Sequence, residues 1–263
     1  MTRPTADEKL IVVKKLPITV TIITLDEEAN ISRCIGSVPF ASEIVVVDSF
    51  SKDRTVEIAA RLGAQVFTEK WLGYGPQKAL ATKKASFDWI LNLDADEIVS
   101  EELQKELETK FASLDPKIGY LIPRKSYYLG RWISHGGWYP DLQKRLFHRG
   151  FSNWDQASIH ETVVSPADAK LKSSLSHFVF DSIFEQVETN NKYSTLLAER
   201  LFNAGQRFSV FRLIGKPLSK FIETYFYKRG LLDGLPGFII AVGAAYSVFL
   251  KWAKLWDLER SRK

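Results

Sequence analysis

The stretch "LNLDADEIVS", residues 91–100, runs from an apolar lead-in into Asp94, Asp96 and Glu97. Two readings compete for so much negative charge at the end of a buried-looking strand. In one, the strand ends in a solvated turn and Ser100 caps the next helix, where the dipole favours nearby acids. In the other, carboxylates at alternate positions hold a hard divalent cation on oxygen, and a diphosphate supplies the remaining ligands.

The preceding chain separates the two. "ITVTIIT" (18–24) and "EIVVVDS" (43–49) are β-branched runs that read as strands buried on both faces. "EEANISRCIGSV" is helical in pattern, and "KDRTVEIAARLG" (52–63) predicts a helix closed by Gly63. "AQVFTE" is a third strand, "GPQKALATKKA" a helix and "DWILNLDAD" a fourth strand. This alternation predicts an α/β fold with a mainly parallel sheet. Functional groups of such sheets gather at the carboxyl ends of the strands. Asp26-Glu27-Glu28, Asp48 and Asp94/Asp96 all fall there, which favours the cation reading.

After about residue 116 the pattern becomes aromatic and Gly-rich, as expected for antiparallel strands and an irregular loop. Residues 181–205 read as a helix ending at Gly205, and 208–257 form an apolar, aromatic and basic block. The implied layout is an extension at 1–16, an α/β half at 17–116, a second half at 117–180 and a C-terminal helical extension at 181–263.

The bulk numbers set bounds. The chain has 263 residues, 45% of them hydrophobic and 25% charged, with a net charge of +5. From Arg207 onward there are 11 Lys or Arg against 4 Asp or Glu, so the whole positive excess lies in that last segment. An anionic surface would be met there. Cys34 is the only cysteine, which excludes an internal disulfide and a Cys-based metal site and makes a reducing cytoplasm the default. "LIVVKKLPITV" is interrupted by Lys14, Lys15 and Pro17, unlike the core of a signal peptide.

"TIITLDEEANISRCI", "VVVDSFSKDRTVEIA", "GYGPQKALA" and "ILNLDADE" stand in the order and spacing of family 2 glycosyltransferases, which the chain resembles over roughly residues 17–255. "GGWYPDLQKRLFHR", "IHETVV", "LSHFVFDS" and "KRGLLDGLPGF" resemble a narrower branch that includes bacterial lipopolysaccharide-core β-1,4-glucosyltransferases. The resemblance implies a GT-A fold, a nucleotide-diphosphate sugar donor and an Asp-x-Asp site for Mg²⁺ or Mn²⁺. Asp96 is the expected direct metal ligand; Asp94 would face the ribose or reach the metal through water. Asp48 matches the residue that bonds the base, while Asp53 reads better as a helix cap. Thr24, Leu25 and Glu27 match the nucleoside cradle, with Asp26 where the family usually has Asn. Gln77 and Lys78 fall where the family reaches over the nucleotide, though Lys78 could equally be a solvated helix lysine.

An inverting transfer needs a base for the acceptor hydroxyl. Glu161 is the first candidate, because His160 stands beside it, and Asp141 is the second. His160 and His177 could complete a metal shell or be structural. Arg145 could clamp the diphosphate or brace the acceptor loop.

"GFIIAVGAAYSVFL" (237–250) is uncharged but shorter than the roughly 20 residues of a span. Phe238, Val242, Ala245, Phe249, Trp252 and Trp256 would share one stripe of a helix lying in the membrane interface. The alternative is a helix packed on the catalytic domain or on a second copy. "LLDGLPGF" is expected to divide the segment into two helical pieces.

The function implied is an inverting transfer of a hexose, glucose from UDP-glucose, to a membrane glycolipid such as the lipopolysaccharide inner core. The enzyme would sit peripherally on the inner face of the cytoplasmic membrane, on anionic lipid. A polyprenyl-phosphate sugar transferase and a non-catalytic nucleotide-sugar-binding protein are the alternatives. Nucleic acid is disfavoured, since the basic residues accompany an apolar helix rather than an open groove.

Overall fold

The computed structural model describes residues 14–155, 161–180 and 182–261. Two compact units are present: Met1–Ile122 with Lys144–Ser174, and Pro123–Gln143 with Leu175–Lys263.

The first unit is built on four parallel strands, β1 (Leu16–Thr24), β2 (Ala41–Asp48), β3 (Gln65–Thr68) and β4 (Trp89–Asp94), in the order β3-β2-β1-β4. Helices α1 (Ile31–Gly36), α2 (Thr55–Arg61) and α3 (Tyr74–Lys84) make the connections. The β-branched runs are buried because helices cover such a sheet: Ile18, Val20, Ile22, Val45, Val46 and Val47 have no exposed surface. Gly63, at φ +86°, follows α2 where a side chain would be strained. Next come β5 (Glu97–Val99) and α4 (Glu101–Lys110), whose N-cap Ser100 accepts from the Leu103 amide at 3.1 Å.

β6 (Ile118–Tyr128) and β8 (Asp141–His148) each carry residues of both units. Within the first unit, Leu146–His148 of β8 pair antiparallel with β4. The hairpin β9 (Asn153–Trp154) and β10 (Val163–Val164) follows, and β11 (Ala167–Lys170) runs parallel to the start of β6.

In the second unit, the end of β6 pairs antiparallel with β7 (Arg131–Trp132) and parallel with β12 (Leu175–Phe180). The antiparallel expectation for this region therefore holds only in part. β11 and β12 return to β6 after long excursions, which permits parallel pairing. Three helices complete the unit, α5 (Ile183–Asn203), α6 (Val210–Ile222) and α7 (Gly234–Ser261). Gly205, at φ +73°, lies just beyond α5.

α6 runs on as a π-helical turn at 223–227, and the break falls at 228–229, before a 3-10 turn at 230–233. Pro236 sits in the first turn of α7, where a missing N–H costs nothing. α7 is consequently one helix of 28 residues, longer than the uncharged run suggested. With the turn before it, it is long and apolar enough to cross a membrane, at a mean hydropathy of 1.6. The outward stripe needs one correction. Trp252 is only 6% exposed and packs with Ala198 of α5 and Leu255, whereas Phe238, Val242, Phe249 and Trp256 stay exposed.

Buried Asp233 ties the turn before α7 to the loop after β7. Its carboxylate accepts from the amides of Ser134 and His135, the latter at 2.8 Å, and its carbonyl accepts from Arg131 at 2.9 Å. Gly237 permits this closure, since a Cβ there would lie 2.0 Å from the Gly230 carbonyl oxygen.

In the first unit, Glu106 of α4 accepts from the Lys172 and Ser173 amides, at 3.1 and 2.8 Å, and from Lys110 at 2.6 Å. Burial alone would raise its pKa, but the Lys110 ammonium and the two amides outweigh it and hold it to about 2. A carboxyl whose pKa is lower folded than unfolded stabilises the fold above its unfolded value, and that stability is lost as pH falls through the folded value. Unfolding free energy of the natural protein should therefore drop between roughly pH 5 and 2, with Glu106 supplying about 2–3 kcal/mol of the fall. In Glu106→Gln that share of the slope should be missing; urea melts across this range would show it.

Candidate active site

Strand register assembles the site. β1 pairs Thr24 with Asp48 of β2 and Ile23 with Asp94 of β4, so Asp48 and Asp94 end the strands on either side of β1. The carboxylates were placed there by strand periodicity, and the structure puts them at neighbouring strand mouths.

The loops beyond are cross-linked by side chains. Asp48 accepts from the Ser51 amide at 2.9 Å and from its hydroxyl. Ser51 Oγ in turn accepts from the Asp26 amide at 2.8 Å, and Asp26 Oδ1 accepts from the Lys52 amide at 2.7 Å. Asp26 has φ +56°, a left-handed conformation that Asn and Asp tolerate well. The Asn-to-Asp departure thus keeps the residue class that the backbone requires. Asp53 accepts from the Thr55 and Glu28 amides, both at 3.0 Å, and so organises the start of α2. Those bonds outweigh its desolvation and lower its pKa. Glu27 accepts from Asn30 at 2.9 Å, Leu25 is exposed, and buried Thr24 Oγ1 has no hydrogen-bond partner among the described residues.

The centre of the site is a buried ionic network. Arg145, 3% exposed, donates through Nη2 to Asp94 and Glu97 and through Nη1 to Asn92 Oδ1 at 3.1 Å. Lys78, 4% exposed, lies 3.0 Å from Asp94 Oδ1 and 2.9 Å from Glu161 Oε1, with the Trp154 ring 5.5 Å away. Lys78 is therefore a buried partner of two acids and not a solvated lysine. Burial would raise the Asp94 carboxyl, but Arg145 and Lys78 hold it far below the usual carboxylate range. Burial works against the Arg145 charge as well, and Asp94 and Glu97 more than restore it.

The single cysteine reports where the acids converge. Cys34 is fully buried, and its thiol is pushed up first by burial and then by Glu97, Asp96, Asp94 and Glu27. Asp96 is half-buried at the turn between β4 and β5. Gln77 is fully buried and donates to Ser49 Oγ at 3.1 Å.

In the second unit, Asp141 and His177 line one cavity of about 290 Å³ with Arg124, Ser126 and Trp138. Arg124 holds Asp141 at 2.6 Å, and Gln143 donates to it at 2.8 Å. His177 Nδ1 is 3.4 Å from Ser126 Oγ. His160 lies outside the described residues.

Among the described residues no three His, Cys, Asp or Glu side chains are gathered into a ready-made metal cage. Carboxylates of the Asp94/Asp96 kind nevertheless suit a hard dication, which at phosphate sites takes one or two of them and draws its other ligands from phosphate and water.

The sequence profile described as Glycosyl transferase family 2 matches residues 19–166. The chain belongs to this family. A glycosyltransferase of Rickettsia typhi is 37% identical over 92% of this chain and 87% of its own. The lipopolysaccharide core biosynthesis glycosyltransferase LpsC of Rhizobium meliloti is 33% identical over 93% of this chain and 94% of its own. Among solved structures, the mannosyltransferase PcManGT of Pyrobaculum calidifontis shares the fold, with a TM-score of 0.54 at 13% identity over 92% of this chain and 88% of that one. The protein is thus a glycosyltransferase that moves a sugar from a nucleotide sugar to an acceptor.

Three residues of this transferase site escaped the sequence reading. Glu97 was visible as the third acid of its run, but its bond to Arg145 spans 48 positions. Asn92 stood out only as a polar residue within an apolar strand, and Trp154 carried no signal, since tryptophan is an ordinary strand residue.

Removing one partner of a buried ion network leaves uncompensated charge, at a cost of about 3–5 kcal/mol. Arg145→Met should lose stability on that scale and abolish transfer. Arg145→Lys should recover only part of both, because an ammonium cannot fork between two carboxylates and Asn92. Chemical denaturation and activity, measured on both variants, check this.

Proposed function

We propose that the protein is an inverting hexosyltransferase that moves glucose from UDP-glucose to a membrane glycolipid such as the lipopolysaccharide inner core. The observation that carries the donor half is the set of carboxylates at the mouths of β1, β2 and β4, of which Asp94 is held by Lys78 and Arg145 and Asp48 by Ser51. The likeness to LpsC along nearly the whole chain supports the acceptor half. UDP is preferred as the commonest carrier of activated glucose.

In this reading Asp48 bonds the base, and Thr24, Leu25 and Glu27 cradle the nucleoside. Asp96, with Asp94 beside it, would hold Mg²⁺ or Mn²⁺, which when bound supplies Lewis-acid stabilisation of the departing diphosphate. Lys78 and Gln77 lie under the phosphates. Arg145 braces Asp94 and Glu97 from below, so it acts on the site without clamping the donor.

The acceptor hydroxyl must lose its proton as it attacks the anomeric carbon. Of the two carboxylates considered, Asp141 is favoured over Glu161. Both carboxylates are paired with a cation, Glu161 with Lys78 at 2.9 Å and Asp141 with Arg124 at 2.6 Å, but Asp141 borders a cavity beside Trp138, and an indole suits a sugar face. Arg124 and Gln143 orient the Asp141 carboxylate in that cavity. His177 shares the cavity and is assigned to acceptor contact, and neither histidine is assigned to the metal. A phosphate acceptor, as in a polyprenyl-phosphate transferase, would need no base.

Asp96→Ala should abolish transfer without unfolding the chain, since a half-buried turn position removes no core volume, and EDTA should mimic it in the natural protein. Asp141→Asn should lower turnover by roughly 10²–10⁴-fold while UDP-glucose still raises the melting temperature. Transfer assays with labelled donor and thermal shifts read both. Full activity of Asp141→Asn together with loss in Glu161→Gln would reverse the assignment of the base, and full activity in both would indicate a phosphate acceptor.

A further inference from the structure

α6 has no buried residue, and its sequence "VFRLIGKPLSKFI" is strongly two-sided. Phe211, Ile214, Leu218 and Ile222 recur at helical spacing on one side and are exposed by 90, 65, 60 and 48%. Tyr227 and Leu235 beyond the helix are exposed by 84 and 70%. An apolar groove of about 420 Å³ runs beside this face, lined by Pro217, Leu218, Phe221 of α6 and Val242, Ala245, Phe249 of α7. So large a contiguous apolar surface marks an interaction site.

Charge identifies the occupant. Lys216 and Lys220 lie near Lys251 of α7, whose pKa is lowered first by partial burial and then by repulsion from both. Lys220 and Lys228 share Glu223, which leaves the region strongly cationic. A positive cluster beside an exposed apolar stripe matches the two layers of an anionic lipid leaflet.

The packing of α7 argues against a span. Lys254 donates to Asn191 Oδ1 at 2.6 Å and to Ser194 at 2.9 Å, and Asn190 of α5 donates to the Gly243 carbonyl at 3.4 Å. A Cβ at Gly243 would lie 2.8 Å from Gln186, so the two helices touch closely. A spanning α7 would carry α5 into hydrocarbon with exposed Glu185, Glu188, Lys192, Glu199 and Arg200.

We propose that α6 and the groove beside it form a one-leaflet docking surface: Phe211, Ile214, Leu218 and Ile222 enter the acyl layer of an anionic membrane, and acyl chains fill the groove. This deepens the membrane half of the proposed function and is independent of the donor and the base.

The test uses the full chain, with vesicles of phosphatidylcholine alone or mixed with phosphatidylglycerol. The natural protein should sediment only with the mixed vesicles and be released by high salt. Phe211→Asp and Leu218→Asp should each lower partitioning by at least about ten-fold, and Lys216→Gln by about five-fold. UDP-glucose thermal shifts should be unchanged in all three. Undiminished sedimentation of Phe211→Asp/Leu218→Asp that also resists alkaline extraction would overturn the proposal in favour of a span. A natural protein that ignores both vesicles, and a dimer that Phe211→Asp dissociates, would overturn it in favour of a second copy. A missing UDP-glucose shift in the natural protein would count against the donor assignment alone.

Discussion

The pairing of Arg145 with Asp94 and Glu97 is the interaction on which the first unit depends. A buried guanidinium loses several kcal/mol of hydration, and only well-placed acceptors offset that loss. Here two carboxylates and Asn92 supply them, Asn92 and Asp94 from the end of β4 and Glu97 from the start of β5. The requirement acts on the sheet as well as on the side chains. Leu146, next to Arg145, is in register with Leu91, next to Asn92, so the ion network and the antiparallel β4–β8 pairing specify the same alignment. The chemistry of the site follows from this arrangement. Asp94 stays ionised because two cations hold it, and the acids gathered around Cys34 outnumber those cations. The excess negative charge suits a dication, and Lys78 places an ammonium within the same cluster.

Most of the first unit was legible in the sequence because its signals are local. β-Branched runs, helical spacing and a closing Gly63 each act over a few residues, so strands and helices fell close to where the pattern put them. The acids at strand ends were legible for the same reason. Their partners were not. Lys78 meets Glu161 across 83 positions, and no short-range pattern distinguishes a buried lysine of that kind from a solvated one. The loop bonds of Asp26 illustrate an intermediate case: a departure from the family motif was visible at once, but its meaning needed the φ of +56° and the contact to Lys52.

The second unit was read less well, again for a physical reason. Helical periodicity shows which residues share a face, but it does not show what covers that face. Trp252 was placed on an outward stripe by spacing alone, and α5 covers it through Ala198. α6 has the clearer amphipathic pattern, but Pro217 and Gly215 lower its helical propensity, and the longest uncharged run lies in α7. Propensity is a weak prior when a neighbouring helix supplies contacts, and α6 leans on α7 along its groove.

Asp233 connects this helical region to the cavity proposed for the acceptor. It fixes Ser134 and His135, the loop continues through Gly136 to Trp138, and Trp138 and Asp141 line the cavity assigned to the acceptor. The Gly136 amide adds a bond to the Lys228 carbonyl at 2.8 Å, from the segment between α6 and α7. The same short stretch, 228–237, therefore anchors the acceptor loop on one side and begins the long apolar helix on the other. A lipid-linked acceptor is confined to two dimensions, so an enzyme gains by fixing its acceptor cavity relative to the membrane surface. In the proposed reading, the connection through the close-packed Gly230 and Gly237 would do this without a flexible linker.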